Sequence, residues 1–536
     1  MSTTQNKGSQ LYIGAITLVA TLGGLLFGYD TAVVSGAVNS LELYFVNPLM
    51  NDATLATSVV FEYRVIVAIG VFVIGGIIGA QLMKLFGKTK GWIAFGLIFL
   101  AIGIMMYSFL SQALTMDAET AASIKGFVAS SALVGCIIGG ATAGYVGTKM
   151  GRRNGMILTA AFFTISSIGA GWPNLLNIWG TSEVSSFIIY RIIGGVGVGM
   201  ASMLSPLYIA EIAPASIRGK LVSWNQFAIV SGILIIYFVN YHIASLGDAA
   251  WNVSTGWRYM FASGAIPSAL FLLLLFFVPE TPRFLVMNGK DEKALSILKK
   301  LNGEELAKSE FSAIKDTLVE KTAPWLSYGG FLIVIGIMLS VFQQIIGINA
   351  VLYYAPEIFK SLGSSSDSSL IQTIIVGAVN MIFTIIAIYT VDKFGRKPLM
   401  IIGGIGMGIA MVMLGSAFYA QSTGMLALFS MLLYIAGFAM SWGPVTWVLL
   451  SEIFPNSIRE SMSIAVAAQW IANLAVSWTF PIMNDSIVLT EKFNHGFAYW
   501  IYGVFSIVSA IFVWKLVPET KGKTLEEIEG IWKKKK

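Results

Sequence analysis

The chain reads as an all-α membrane protein: two related six-helix bundles plus an inserted transmembrane hairpin, about 14 spans in all. Hydrophobic residues make up 56% and charged residues only 12% of the 536, against about 25% charged in a soluble domain. Apolar runs of about 20 residues, the length that crosses a bilayer, recur from end to end, each closed by charge or by Gly/Pro. Finally, short charged motifs of the first half return in the same order in the second, about 240 residues further on.

Span 1 covers Leu11–Val38 and holds Asp30 within Gly28-Tyr29-Asp30. An acid at that depth is costly and marks a functional position. A polar loop, 39–64, precedes two spans, Val65–Leu85 and Trp92–Leu110, joined by Phe86-Gly87-Lys88-Thr89-Lys90-Gly91. A second polar loop, Ser111–Lys125, leads to a span at Gly126–Gly147 and another reaching Trp172. These two pairs look alike at an offset of 64 residues: Ile74-Gly75-Gly76 matches Ile138-Gly139-Gly140, and Gly87-Lys88 matches Gly151-Arg152. A tandem duplication of a helical hairpin is one account, and the shared Gly-rich composition of membrane helices is the other. The extra pair is even in number and leaves the orientation downstream unchanged. Its lysines fall on the side of Arg152 and Arg153, as the positive-inside rule requires.

Span 4, Ser185–Tyr208, opens on Tyr190-Arg191, and Arg191 needs a counter-charge, for which Asp30 is the intramembrane candidate. Span 5 is Leu221–Tyr241, with Asn225 and Gln226, and span 6 is Tyr259–Val278. Composition then turns charged from Phe284 to Pro324, a connector of two or three short amphipathic helices. The second half supplies spans near 328–354, 369–390, 398–419, 424–449, 461–482 and 497–516. The expected division is therefore 1–49 for span 1, 50–124 for the inserted hairpin and loops, 125–283 for the rest of the first bundle, 284–325 for the connector, 326–520 for the second bundle and 521–536 for a tail.

Lys393-Phe394-Gly395-Arg396-Lys397 answers Lys149 to Arg153, and Pro518-Glu519-Thr520 answers Pro279-Glu280-Thr281. Glu452 to Arg459 repeats the seven-residue gap from Glu211 to Arg218. A parallel six-span repeat is the plan of transporters whose halves rock about a central site. Acids and arginines so placed suit ion-pair latches at helix ends: Arg152, Arg153, Glu211, Arg218, Glu280, Arg283, Arg396, Glu452, Arg459 and Glu519.

The densest polar cluster inside an apolar run is Gln343-Gln344 with Asn349, Tyr353 and Tyr354. A lone Gln can bond two helices together. So many uncharged amides and phenols instead suit a neutral ligand covered in hydroxyls.

Other classes fall away on composition. The net charge of +6 sits in short loops between spans, a topology signal and not a nucleic-acid one. Cys136, the single cysteine, excludes an intrachain disulfide, and His242 and His495 are the two histidines, without metal-ligand spacing or a nucleophile–base arrangement. No enzyme activity, metal or cofactor is expected. The polar N-terminus, Met1 to Gln10, carries no cleavage signature, so no removable signal peptide is expected.

Together, Gly151-Arg152-Arg153 and Gly395-Arg396-Lys397, the paired Glu-x-x-Pro-x-x-x-Arg segments, Pro279-Glu280-Thr281-Pro282-Arg283, Gln343-Gln344 with Gly347-Ile348-Asn349, Gly443-Pro444-Val445-Thr446-Trp447 and Pro518-Glu519-Thr520 resemble the sugar porter branch of the major facilitator superfamily, and most of all its bacterial D-xylose–proton symporters. The resemblance covers nearly the whole chain except about residues 50–120. It implies a central sugar site of Gln226, Gln343, Gln344, Asn349, Tyr353, Trp447, Gln469 and Trp470, with Phe27, Gly443 and Asn380 as weaker members. It implies proton coupling through Asp30 and Arg191. Amides donate and accept at once, as hydroxyls do, and indole faces cover the apolar face of a sugar ring.

Three residues depart from that pattern. Gly264 stands where xylose symporters carry a carboxylate, Ile233 where they carry a glutamine, and Glu460 follows Arg459 where the family has Gly. The expected function is import of a monosaccharide with protons, D-xylose first, with passive facilitation or sugar sensing as alternatives. The expected partners are a small neutral sugar, the proton and the lipid bilayer, with a monomer as working unit in the plasma (inner) membrane and both termini cytoplasmic.

Overall fold

The computed structural model describes residues 10–175, 177, 180–214, 217–317, 323–421, 425–523 and 525–535. Among the described residues, thirteen helices are long and apolar enough to cross a membrane, and the bent pair Ala118–Ser130 and Ala132–Lys149 (43°) makes fourteen.

The first half begins with α1 (Gln10–Ala32), continued by α2 (Val34–Leu41) and two short turns to Met50. α3 (Ala53–Phe86) and α4 (Lys88–Ser111) form the inserted hairpin. The expected loop at 39–64 is therefore mostly helix. Asp52 caps α3 by accepting from the amides of Thr54 and Leu55, and the helix starts twelve residues before the apolar run does. Likewise α5 (Ala118–Ser130) begins within the expected loop at 111–125, capped by Asp117, and α6 (Ala132–Lys149) completes that span. Next come α7 (Arg152–Gly171), α8 (Glu183–Ile212) and α9 (Arg218–Ala244). The sixth span is built from α10 (Ala249–Trp251), α11 (Trp257–Ser263) and α12 (Ala265–Leu275).

The connector folds as α13 (Pro282–Met287), α14 (Asp291–Asn302) and α15 (Glu304–Thr317). The second half has α16 (Gly330–Ile345) and α17 (Ile348–Ser361), then α18 (Ser366–Phe394) and α19 (Arg396–Tyr419). α20 (Met425–Met440) and α21 (Trp442–Ile453) make one span, followed by α22 (Met462–Asn484), α23 (Ile487–Phe493), α24 (Phe497–Leu516) and the terminal α25 (Leu525–Lys535). The cluster at 343–354 is thus not on one continuous helix. Gly347, at φ +95°, breaks it between α16 and α17 and turns Asn349 and Tyr353 toward Gln343 and Gln344.

Glycine sets how closely the first bundle packs. A Cβ on Gly195 of α8 would lie 1.7 Å from the Ala132 carbonyl oxygen, and one on Gly135 of α6 would lie 1.9 Å from that of Ile192. Gly139 and Gly199 continue the seam at 2.1 and 2.3 Å from facing carbonyls. In lipid there is no hydrophobic gain between helices, so such close backbone approach provides the dispersion that joins them.

Candidate sugar and proton site

Two faces of the bundle differ. One, the basic face, carries the turns at Gly87, Gly151 and Gly395, all with positive φ, and the connector helices. Between the halves lies a chamber of about 120 Å³. It continues past Phe27, Gln226, Ile229, Pro444 and Trp447 into a vestibule of about 1280 Å³ that reaches Arg218, Lys220, Asp392 and Arg396 on the basic face.

The chamber gathers every residue singled out for the sugar: Phe27, Gln226, Gln343, Gln344, Asn349, Tyr353, Asn380, Gly443, Trp447, Gln469 and Trp470. Gln343 is its fixed point. Its Nε2 donates to the carbonyls of Trp442 (2.9 Å) and Gly443 (3.1 Å) in the first turn of α21. Its Oε1 accepts from Gln469 Nε2 (2.5 Å) and from Gln344 Nε2 (3.3 Å), and Gln344 Oε1 accepts from Asn349 (2.6 Å). The amides therefore orient one another, which fixes their free atoms before any ligand arrives. Two of those atoms, Gln469 Oε1 and Trp470 Nε1, are buried without a partner among the described residues. Phe27 and Trp470 place their rings 5.7 Å apart at 49° on the same wall. Ile233 also lines the chamber, adding an apolar side chain.

Asp30 and Arg191 meet inside the first bundle. Arg191 Nη1 donates to Asp30 Oδ1 at 2.7 Å and Nη2 to the Asp30 carbonyl at 3.2 Å. The guanidinium lies 5.1 Å from the centre of the Phe261 ring. Asp30 Oδ2 and Arg191 Nε, both buried, have no partner among the described residues. A small void bounded by Asp30, Tyr29, Ser167, Phe261 and Gly264 adjoins them, and Gly264 leaves it open where a carboxylate side chain would project.

The latch residues form two matching clusters, each within one half. Arg152 bonds Glu211 at 2.8 Å, Thr281 donates to the other Glu211 oxygen at 2.7 Å, and Glu280 accepts from the amides of Arg152 and Arg153. The Arg153 side chain donates to the carbonyls of Leu275 and Phe276 at the end of α12. In the second half, Arg396 bonds Glu452 at 2.7 Å and Asp392 at 2.8 Å, Thr520 donates to Glu452, and Glu519 accepts from the amides of Arg396 and Lys397. Burial raises the Glu280 carboxyl above its ordinary range despite its amide donors. Glu519 is less buried, so desolvation is outweighed by amide donors and its carboxyl falls below that range. Arg218 and Arg283 are exposed and join neither cluster, while the Arg459 side chain lies outside the described residues. Thr281 and Thr520 were part of a quoted motif, but only the repeat of Pro-Glu-Thr pointed to them.

A further cluster, missed in the sequence, closes the opposite face. Lys125 of α5 lies 2.8 Å from Glu42, 3.6 Å from Glu357 of α17 and 3.1 Å from Asp485 after α22, joining the two halves. Close by, the Tyr237 hydroxyl of α9 donates to the Leu352 carbonyl of α17. The chamber thus communicates with the basic face and is closed toward the other.

The family model "Sugar (and other) transporter" matches residues 16–116 and 106–532. The chain is 51% identical to the D-xylose-proton symporter of Escherichia coli (strain K12), covering 99% of this chain and 97% of that one. It is 37% identical to the glucose facilitated diffusion protein of Zymomonas mobilis, covering 99% and 100%. Among solved structures, the inward open conformation of the xylose transporter XylE from E. coli matches with a TM-score of 0.76 at 49% identity over 97% of this chain and all of that one. XylE bound to 6-bromo-6-deoxy-D-glucose matches with a TM-score of 0.74 at 50% identity, covering 98% and 99%. The first match of the family model runs on through the inserted hairpin to residue 116, so the stretch expected to lie outside the resemblance belongs to it. The chain is a member of the sugar transporter family of the major facilitator superfamily, a multi-pass membrane transporter.

Proposed function

We propose that the protein imports a monosaccharide together with a proton, by alternating access, and that D-xylose is its first substrate. The carrying observation is the pair of buried, unpartnered atoms in the chamber. Gln469 Oε1 accepts and Trp470 Nε1 donates, so a sugar with adjacent hydroxyls would satisfy both and lose little on leaving water. Support for xylose comes from the 51% identity to a D-xylose-proton symporter.

Proton coupling is assigned to Asp30 and Arg191. Protonation of Asp30 would remove the charge attraction but leave the bond from Arg191 to the Asp30 backbone carbonyl, so the hold of α8 on α1 would weaken without being lost while sugar binds. The proton is the coupling ion, and no cofactor or metal is invoked. On this reading the basic face, with both termini, is cytoplasmic, the membrane is the inner membrane, and one chain suffices for transport.

Passive facilitation is the second reading, favoured by Gly264 in place of a carboxylate. Binding of a panel of aldoses to the purified protein, repeated with Gln343→Ala, tests the site. Xylose should bind first in the panel, and the variant should weaken it about 10- to 100-fold. Alkalinisation measured during uptake into proteoliposomes tests coupling, and sugar entry without proton movement would leave facilitation.

A further inference from the structure

We propose that the inserted hairpin is a second copy of the hairpin that follows it, and that it serves as a stay between the two halves, favouring the state open to the basic face. Its origin is written in the sequence and in the turns. The sequence repeats at an offset of 64 residues. Both copies turn on a glycine in the same backbone conformation, Gly87 (φ +79°, ψ 170°) and Gly151 (φ +98°, ψ 164°). The family model matches twice, and the second match starts at residue 106, before the first has ended at 116, as expected if the same part of the model is used for both copies.

The copies pack differently. Gly139 of α6 meets the backbone of α8, whereas its counterpart Gly75 of α3 meets Ile102 of α4, and Gly79 meets Phe95. The copy's small residues thus bind its own partner helix, and α4 packs on α3 with its outer face exposed. α3 lies against α6 and α8 of its own half, and polar contacts pin it near both ends. Away from the basic face it is fixed to its own half, at a point where Ser123 also accepts from the Trp478 indole of α22. Glu62 accepts from the Ser182 amide at 3.0 Å, and Tyr63 shares a hydrogen bond of 2.9 Å with Ser123. At the basic face it reaches the other half and the end of the connector. Gln81 donates to the Ser463 carbonyl at the start of α22 (3.4 Å), and Lys84 lies 5.5 Å from the centre of the Trp325 ring.

Rocking moves the basic-face ends of the halves relative to each other. A rod held by one half and touching the other at that end is strained by the movement or released by it. The contacts described belong to the state whose vestibule is open, so the stay stabilises that state.

This inference rests on the orientation proposed above, but its test reads conformation without sugar. A cysteine at Leu352, beside the Tyr237 closure, in a Cys136→Ser background, reports opening of the far face to a membrane-impermeant maleimide in proteoliposomes oriented with the basic face inside, so that the reagent can arrive from the far face alone. Against that parent, Gln81→Ala combined with Lys84→Ala should raise the labelling rate about five- to tenfold. Excision of 53–117 should do the same and still give a folded transporter, since a whole set of family spans remains. Ile104→Ala, on the exposed side of α4, should change nothing. An unchanged or slower rate in the double variant overturns the stay, whatever the transport assays give. If the excised chain fails to fold while the double variant labels faster, the stay stands and the hairpin is no longer dispensable.

Discussion

Arg191 holds Asp30 twice, by its carboxylate at 2.7 Å and by its own backbone carbonyl at 3.2 Å. The second bond needs no charge on Asp30, so α8 stays tied to α1 even when the carboxyl is neutral. The pair can therefore change its charge without falling apart. Asp30→Asn should keep sugar exchange across proteoliposomes within a few-fold of the wild type, while accumulation against a gradient drops at least tenfold and no longer follows the pH gradient. Persisting accumulation would place the coupling group elsewhere.

Trp470 separates binding from folding. Its indole N–H has no partner among the described residues, while its ring contributes to the chamber wall beside Phe27. Trp470→Phe retains most of the ring and removes the N–H. Sugar affinity, by titration calorimetry, should fall about three- to tenfold with the melting temperature unchanged, the worth of one hydrogen bond. Gln343→Ala should lower both, because it also releases two carbonyls and Gln469.

The glycine seam of α6 and α8 should tolerate no side chain. At Gly195 a Cβ would sit 1.7 Å from a carbonyl oxygen of the facing helix, and backbone cannot yield as a side-chain tip does. Gly195→Leu should cost more than about 3 kcal/mol and leave little folded protein in detergent, by size-exclusion profile. Gly96→Leu, with open space around it on α4, should leave the profile unchanged.

Much of this was legible in the chain because bilayer physics is so restrictive. Every span is a run of apolar residues, and every charged or amide residue inside one stands out against it. Asp30, Arg191 and Gln343 were visible for that reason. Helix starts were less so. Asp52 and Asp117 cap helices whose first turns are polar, so hydropathy placed α3 and α5 too late. The break at Gly347 was hidden because one glycine in an apolar run has no period of its own. The internal pairing of the latches depended on which helix ends meet, which no local pattern contains.

Lys125 was invisible for a related reason: it sat in an expected loop, and its partners come from three distant stretches. Among the described residues it is the one cation paired with Glu42, Glu357 and Asp485. Two of these belong to the other half, so the closed face depends on Lys125 to offset three clustered carboxylates. Lys125→Met leaves those carboxylates facing one another, and separation of the halves relieves the repulsion. The variant should shift toward the state open on that face by about 1–3 kcal/mol, roughly five- to 150-fold. Spin-label distances between the outer ends of α5 and α22 should lengthen accordingly. Adding Glu357→Gln and Asp485→Asn should restore much of the shorter distance, since neutral side chains need no cation. If Lys125→Met alone leaves the distance distribution unchanged, the cluster is a surface ion pair and closure rests on the Tyr237 contact and the apolar packing around it.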